Sequence, residues 1–281
     1  MRATAVYLNA MGALILFWFF VLGTVIGSFL NVVIYRLHTG KSLSGRSHCL
    51  SCGAHLSWYE LIPIFSYLAQ RGRCRRCGAR VTVRYLAVEL LTGLLFLFIV
   101  QRFLFDPVLL SLNLGISAML VVIVMYDLRH TIIPDELVLY LLALAAAYAL
   151  WDSLAQTVAL PPFGTVLGGI IPAAFFGGLW LISRGRWIGL GDAKLAFPLG
   201  LIVGAWGSVS MLMLAFWVGA VVSVGILALQ KWYGGQLHLS FLGNHLTMKS
   251  EVPFAPFLVC AFFLVQLMDV EVLAAFAAVF P

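Results

Sequence analysis

Two acidic clusters, in a chain that otherwise avoids charge, are the residues best suited to chemistry. Gly189-Leu190-Gly191-Asp192 stands between two long apolar segments, and Asp127 closes another apolar segment. A carboxylate at a membrane boundary is costly unless it is paired, solvated or used. Asp127 falls at the electronegative C-terminal end of its predicted helix, where helix capping does not explain an acid. We predict that Asp127 and Asp192 meet in space.

Two neighbouring carboxyl groups suggest acid–base hydrolysis. They share a proton, so one can activate water while the other protonates or polarises a carbonyl group. A proton-coupled transporter is the alternative use of two acids, but transporter sites usually lie near the bilayer midplane. No Ser-His-Asp arrangement, HExxH motif or Gly-rich nucleotide loop competes in this sequence.

The residues around the two acids are predicted to support the site. Gly189 and Gly191 lack side chains, which would let a substrate backbone approach Asp192. Pro134 is expected to begin a helix, where its missing N–H costs little, and Asp135 suits the first turn of that helix.

The composition is that of a polytopic membrane protein. The chain is 63% hydrophobic and only 10% charged, whereas a soluble domain carries about a quarter charged residues. The net charge of +6 would suit a nucleic-acid partner. The basic residues instead fall between apolar spans, as membrane topology predicts, so we expect a lipid bilayer and no nucleic acid around this chain.

Apolar runs predict an all-α fold of about eight transmembrane helices, since a span needs roughly 20 mostly apolar residues. The first run lacks a convincing cleavage site and is interpreted as a retained span. The sixth span is short and contains glycines, which permit close helix packing where it meets the seventh. The predicted spans are 8–34, 84–105, 109–127, 136–152, 163–183, 192–206, 208–230 and 254–276.

The distribution of Lys and Arg predicts the topology. With the N-terminus outside, segments 35–83, 128–135, 184–191 and 231–253 face the cytoplasm, and eight spans return the C-terminus outside. All 17 basic residues except Arg2 and Arg102 then lie in or beside cytoplasmic segments, as the positive-inside rule requires. Lys194 is interpreted as one of these anchoring residues. Both acidic clusters fall at the cytoplasmic face.

Four of the five cysteines form two Cys-x-x-Cys pairs in the most basic loop: Cys49, Cys52, Cys74 and Cys77. Two such turns complete a tetrahedral thiolate site whose typical ion is zinc. Four protein ligands leave no open position, so the metal is expected to fold the loop rather than to catalyse. Free thiols or a redox pair are the alternatives.

Two further acids lie in or beside this loop. Glu60 stands in the apolar, aromatic stretch 56–68, which is too short to span a membrane and is expected to lie in the interface or to pack under the loop. It either pairs with a loop arginine or recognises a positive group on a substrate. Glu89, one turn inside a predicted span, is either a snorkelling or Arg-paired acid or a polar group facing the bundle.

The ordered set of motifs resembles the type IV prepilin leader peptidases, which are intramembrane aspartyl proteases of the GxGD type. The resemblance runs from about Gly27 to Leu258. It rests on Asp127, on the two Cys-x-x-Cys pairs, and on three further motifs: Gly189-Leu190-Gly191-Asp192, Ile133-Pro134-Asp135 and Pro253-Phe254-Ala255-Pro256-Phe257-Leu258.

The resemblance implies a bifunctional enzyme of the bacterial inner membrane. It would remove the basic leader of type IV prepilins and type II secretion pseudopilins after glycine, at the cytoplasmic face. It would then N-methylate the new N-terminus with S-adenosylmethionine. The matching catalytic acids are Asp127 and Asp192. The matching residues for substrate or methylation are Glu60, Gly72, Arg84, Tyr85 and Glu89.

Departures from the family pattern bear on methylation more than on proteolysis. Leu50 and Leu86 replace frequent prolines and Ala255 replaces a glycine, and a peptidase without methylation is the alternative. The expected domains are a first transmembrane helix (1–34), a cytoplasmic zinc-binding loop domain associated with methylation (35–83) and a seven-helix transmembrane peptidase domain (84–281).

Overall fold

The computed structural model describes residues 2–37, 39, 42, 44–155, 163–232, 253–270 and 272. Most of the predicted cytoplasmic segment 231–253 lies outside the described residues, as does the end of the last predicted span beyond residue 272.

The described chain is helical, with only isolated β-bridges in the cysteine-bearing loop. A 3-10 turn, Trp58–Leu61, and a short helix, α2, Phe65–Ala69, lie between the first two long helices. The long helices are α1 (Arg2–Arg36), α3 (Val83–Phe103), α4 (Pro107–His130), α5 (Asp135–Ala155), α6 (Phe163–Ser183), α7 (Leu190–Trp232) and α8 (Ala255–Met268).

Six of the described helices are long and apolar enough to cross a membrane, and α8 is a shorter apolar helix. The longest, α7, is broken at Gly204, where φ is 71° and ψ is −178°. A backbone with this φ is open to glycine and rarely to other residues. The break divides α7 into two helical segments, close to the predicted boundary between the sixth and seventh spans. The prediction of an all-α polytopic membrane protein with about eight helices is confirmed.

The chain forms two compact units, Met1–Val122 and Ile123–Pro281, and the division falls within α4. In the first unit, α1 packs along α3 with backbones in contact. A Cβ built on Gly23 would lie 2.8 Å from the Gly93 Cα, and one on Gly27 would lie 2.8 Å from the Glu89 Cα. Small residues permit such an approach between membrane helices.

In the second unit, α7 packs against α5, α6 and α8. A Cβ on Gly200 would overlap the carbonyl group of Gly168 in α6, and the Ser208 hydroxyl donates to that same carbonyl oxygen over 2.6 Å. Leu195 and Leu199 are completely buried in this packing. The interactions of α7 therefore fix its N-terminal half, whose first turn carries Asp192.

Candidate functional site

Asp127 lies in the last turn of α4, where the chain reverses. The Thr131 N–H donates to the Asp127 carbonyl oxygen over 2.7 Å, and Thr131 has a φ of 52°, so the helix ends in the left-handed conformation common at helix C-termini. The Asp127 side chain is only 5% exposed. It accepts a hydrogen bond from the backbone N–H of Ala255 in the first turn of α8. Within the described part of the chain, its Oδ2 has no hydrogen-bond partner.

Asp192 lies in the first turn of α7 and is 8% exposed. Its carboxyl group accepts from the backbone N–H of Gly189, the residue before the helix. The two aspartates belong to the same unit, and Asp192 lies close enough to Asp127 to interact with its charge. Each carboxyl group is thus held by an N–H at a helix N-terminus, where the helix dipole favours negative charge. The structure brings together the two acids that the sequence singled out.

The predicted supporting residues lie around the first turn of α7. A Cβ on Gly191 would lie 3.2 Å from the Ile133 Cβ, and one on Gly189 would lie 3.6 Å from the Asp192 carboxyl oxygen. Ile133 is buried, so the residue that approaches Gly191 in this structure is one from the chain's own α4–α5 connection. Pro134 immediately precedes α5.

Lys194 and Asp135 form an ion pair. The Lys194 Nζ lies 2.7 Å from the Asp135 Oδ1, and their side chains are 43% and 72% exposed. The pair links the first turn of α5 to that of α7. Lys194 therefore has an acidic partner in addition to its predicted role as a topology anchor.

The segment that holds Asp127 is fixed by aromatic packing. The Phe254 ring lies 5.4 Å from that of Phe176 and 5.2 Å from that of Phe216, measured between centroids. Ala255 follows as the first residue of α8, so its N–H is free of the intrahelical ladder. The contact from Ala255 to Asp127 was missed by the sequence reasoning. The available signal was the pair of prolines that bracket this helix start.

Such an arrangement can carry out general acid–base chemistry. Two buried carboxyl groups whose charges interact do not both ionise readily, so that one can serve as an acid while the other is a base. The unpartnered Oδ2 of Asp127 is a buried polar atom of the kind that calls for a functional explanation. When ionised this oxygen can accept a proton from water, and when protonated it can donate to a substrate carbonyl oxygen.

A second centre lies in the first unit, where the sulfur atoms of Cys49, Cys52, Cys74 and Cys77 all lie within 4.8 Å of one another. The Cys49 and Cys77 sulfurs are 3.9 Å apart. Sulfurs bound to one zinc ion at about 2.3 Å in tetrahedral geometry lie about 3.8 Å apart. The four cysteines therefore form a group that fits one metal ion.

The two halves of this centre have the same local structure. In each, the first cysteine donates its N–H to an alanine carbonyl oxygen and accepts the N–H of a glycine, namely Gly53 or Gly78. These glycines have φ values of 71° and 72°. The repeated signal Cys-x-x-Cys-Gly-Ala is present in the sequence. The sequence reasoning used only its cysteines.

Backbone N–H groups also favour the thiolate form of Cys49. Hydrogen bonds from Cys52 and then Ser51 lower the pKa of Cys49 to about 6. A thiolate is the form that binds metal. The turn therefore favours the ligating form of Cys49 near neutral pH.

A cavity of about 580 Å³ lies in the first unit, between the end of α1, the cysteine-bearing loop and the start of α3. Its size is that of a small-molecule site. Of the five predicted residues for substrate or methylation, Glu60, Gly72, Tyr85 and Glu89 line it. Arg84 lies next to Tyr85, in the first turn of α3.

Each of the two glutamates accepts a hydrogen bond from a backbone N–H of the cysteine-bearing loop. Glu60 accepts the N–H of Ser57 over 2.8 Å and so caps its own 3-10 turn. Glu89 accepts the N–H of Ile64 over 2.7 Å and is buried. It faces the packed interior rather than snorkelling.

Gly72 and Tyr85 line the cavity, and each is held there by a close contact with a neighbouring segment. Gly72 has a φ of +64°, and a Cβ there would lie 2.8 Å from the Tyr67 hydroxyl oxygen. The Tyr85 carbonyl oxygen accepts from the Asn31 side chain of α1 over 3.1 Å.

Comparisons with known proteins match both units. Residues 21–103 match the bacterial peptidase A24 N-terminal domain, and residues 114–224 match the type IV leader peptidase family. No solved structure matches the chain significantly.

Three similar proteins each carry the name prepilin leader peptidase/N-methyltransferase. The Myxococcus xanthus protein is 48% identical over 124 residues, which is 44% of this chain and 37% of that protein. The Bacillus subtilis protein is 30% identical over 84% of this chain and 88% of its own length. The Pseudomonas aeruginosa protein is 33% identical over 69% of this chain and 73% of its own length. The chain therefore belongs to the type IV leader peptidase family.

Proposed function

We propose that this protein is a membrane aspartyl endopeptidase. It removes the basic leader of type IV prepilins and type II secretion pseudopilins after glycine, and it then N-methylates the new N-terminus. The observation that carries the proposal is the pair of buried carboxyl groups, Asp127 and Asp192, which lie in one unit close enough for their charges to interact. The names of the relatives and the family match point to the same two activities.

Asp127 and Asp192 are the proposed catalytic residues. One carboxylate takes a proton from the attacking water while the other, as the acid, polarises the scissile carbonyl group. The N–H groups of Ala255 and Gly189 hold the two carboxyls in place. Gly189, Gly191, Pro134 and Asp135 are the proposed supporting residues, since they shape the chain around the first turn of α7.

The proposed location is the bacterial inner membrane, with both termini outside and the active site at the cytoplasmic face. The apolar helices and the concentration of basic residues between them support this topology. The apolar helix of a prepilin stays in the lipid bilayer while its leader lies along the cytoplasmic boundary.

Acidic side chains near this boundary are proposed to receive the basic leader. Glu60 is the most direct candidate, because it lines the cavity beside the cysteine centre. Glu60→Lys should raise the KM for a lysine- or arginine-bearing leader. An unchanged KM would exclude this role.

Methylation is assigned to the first unit. We propose that the cavity receives S-adenosylmethionine, which supplies an electrophilic methyl group for the new N-terminal amine. Glu60, Gly72, Arg84, Tyr85 and Glu89 are the proposed residues for methylation or substrate. A zinc ion held by the four cysteines would fold the loop that forms much of the cavity wall. The proposed division of the chain into a first transmembrane helix (1–34), a zinc-binding loop domain (35–83) and a seven-helix peptidase domain (84–281) is functional, and residues of all three segments line this cavity.

Mass spectrometry of a processed pilin N-terminus tests both activities at once. A prepilin incubated with the purified protein and S-adenosylmethionine should lose its leader after glycine and gain one methyl group. An intact leader would contradict the peptidase proposal. A cut without a methyl group would instead favour the peptidase without methylation.

A further inference from the structure

Ile64 has a backbone conformation that its side chain disfavours. Its φ is 62° and its ψ is −56°, and a β-branched residue with positive φ is a genuine outlier. The Phe65 N–H donates to the Pro63 carbonyl oxygen across it. Ile64 is therefore the centre of a classic γ-turn, which is rare and strained. Strain of this kind persists only where the surrounding structure imposes it.

The group that holds this turn is the carboxyl of Glu89. Its Oε2 accepts the Ile64 N–H over 2.7 Å, and the Ser28 side chain of α1 hydrogen-bonds to the same glutamate. Gly27 allows α1 to come this close, because a Cβ there would lie 2.8 Å from the Glu89 Cα. One buried carboxyl thus joins α1, α3 and the turn.

The turn lies between two stretches that form the cavity wall. Glu60 and Leu61 precede it, Ser66 and Tyr67 follow it, and all four line the cavity. Glu89 lines the cavity as well. A change in the conformation of Ile64 would therefore redirect both stretches of wall.

We propose that Glu89 is a positioning residue for methylation, which holds the strained turn at Ile64 and thereby sets the shape of the cavity for the methyl donor. This inference rests on the proposed function, because it assigns the cavity to the methyl donor. Without the carboxyl oxygen, the Ile64 N–H loses its partner, and the turn relaxes to a conformation that isoleucine prefers.

The test compares Glu89→Ala and Glu89→Gln in the full-length, zinc-loaded protein in lipid nanodiscs. The probe is S-adenosylhomocysteine, and its Kd is measured by calorimetry. Glu89→Ala should raise the Kd at least tenfold. Glu89→Gln keeps an amide oxygen that accepts the Ile64 N–H, so its Kd should stay within threefold of that of the unaltered protein. Leu91→Ala, at a position of α3 where the leucine is 42% exposed, is the matched control and should leave the Kd unchanged.

A second substitution separates positioning from general loss of packing. Glycine adopts positive φ without the cost that isoleucine carries. Adding Ile64→Gly to Glu89→Ala should therefore lower the Kd at least threefold relative to Glu89→Ala alone, although the glycine removes apolar contacts. A merely structural role for Glu89 would make the double variant worse than the single one.

Two results would overturn the inference: tight S-adenosylhomocysteine binding by Glu89→Ala, or no recovery on adding Ile64→Gly. Hydrogen exchange across residues 62–66 distinguishes this failure from failure of the proposed function. If the unaltered protein does not bind S-adenosylhomocysteine, the methyl-donor site is wrong. Faster exchange in Glu89→Ala than in Glu89→Gln still supports the role of Glu89 in holding the turn, whereas equal exchange contradicts it.

Discussion

The two units each bury a carboxyl group near the end of a membrane helix, and they treat it differently. Glu89 in the first unit is 8% exposed and Asp127 in the second is 5% exposed. Glu89 is hydrogen-bonded to the N–H of Ile64 and to Ser28 of a neighbouring helix. Asp127 accepts from Ala255, but its Oδ2 has no partner within the described residues.

This difference separates an acid that holds structure from one that is available for reaction. A buried carboxyl with its hydrogen bonds made is a rigid connector, and removing it leaves a donor unsatisfied. A buried carboxyl oxygen without a partner remains able to hydrogen-bond to a substrate or to water. We therefore expect substitutions at the two positions to affect different activities, with the aspartates governing cleavage and Glu89 governing methylation.

The largest expected effect is on cleavage, from Asp127→Asn and from Asp192→Asn. Each change keeps the shape but removes the acid, and general acid–base catalysis contributes about 100- to 10,000-fold. The rate of leader removal should fall at least about 100-fold in each variant. Asp152→Asn, at the other end of α5 from Asp135, is the matched control and should cleave normally. Retained cleavage in either of the first two variants would exclude the proposed pair.

The cysteine centre should affect methylation more than cleavage, which tests whether the units act separately. Cys74→Ser removes one ligand of the proposed zinc site, so the protein should lose bound metal and the cavity wall should lose its order. We expect methyl transfer to fall at least tenfold while cleavage falls by less than threefold. The measurements are the zinc content by atomic emission, the rate of methyl transfer and the rate of leader cleavage. Cys260→Ser, outside the four-cysteine group, should retain metal and both activities. Equal loss of the two activities would contradict the separation.

The sequence predicted the features that depend on patterns of side chains. Long apolar runs predicted the helices, and the boundary predicted between spans 192–206 and 208–230 falls close to the break of α7 at Gly204. The spacing of the two Cys-x-x-Cys pairs predicted the cysteine cluster. Asp127 was singled out because the C-terminal end of a helix gives no structural reason for an acid, and Asp192 because a carboxylate at a membrane boundary is costly.

The contacts that the sequence did not predict are made by the backbone or run against local propensity. The N–H of Ala255 holds Asp127, and an N–H carries no signature of residue type. The β-branched side chain of isoleucine disfavours the positive φ found at Ile64. Only the packed tertiary structure, with Glu89 beside the turn, makes that conformation favourable.

A substitution at Gly191, in the second unit, is expected to have an intermediate effect on cleavage. A leucine there would collide with Ile133, since even a Cβ lies 3.2 Å from the Ile133 Cβ. The first turn of α7 would move, and Asp192 with it, so we expect Gly191→Leu to reduce cleavage at least tenfold. Gly177→Leu is the matched control because nothing lies within 4 Å of a Cβ at that position. Normal cleavage by Gly191→Leu would mean that this contact does not position Asp192.

The smallest expected effect comes from the ion pair between Lys194 and Asp135. Their side chains are 43% and 72% exposed, and exposed pairs contribute only about 0.2–1 kcal/mol. Lys194→Met should therefore change the cleavage rate by less than threefold. At saturating substrate the rate should also depend only weakly on salt, because little of the geometry of Asp192 relies on this pair. A loss above tenfold would show that Lys194 acts on the acids themselves, so that the site of the second unit would include a cation as well as two carboxyl groups.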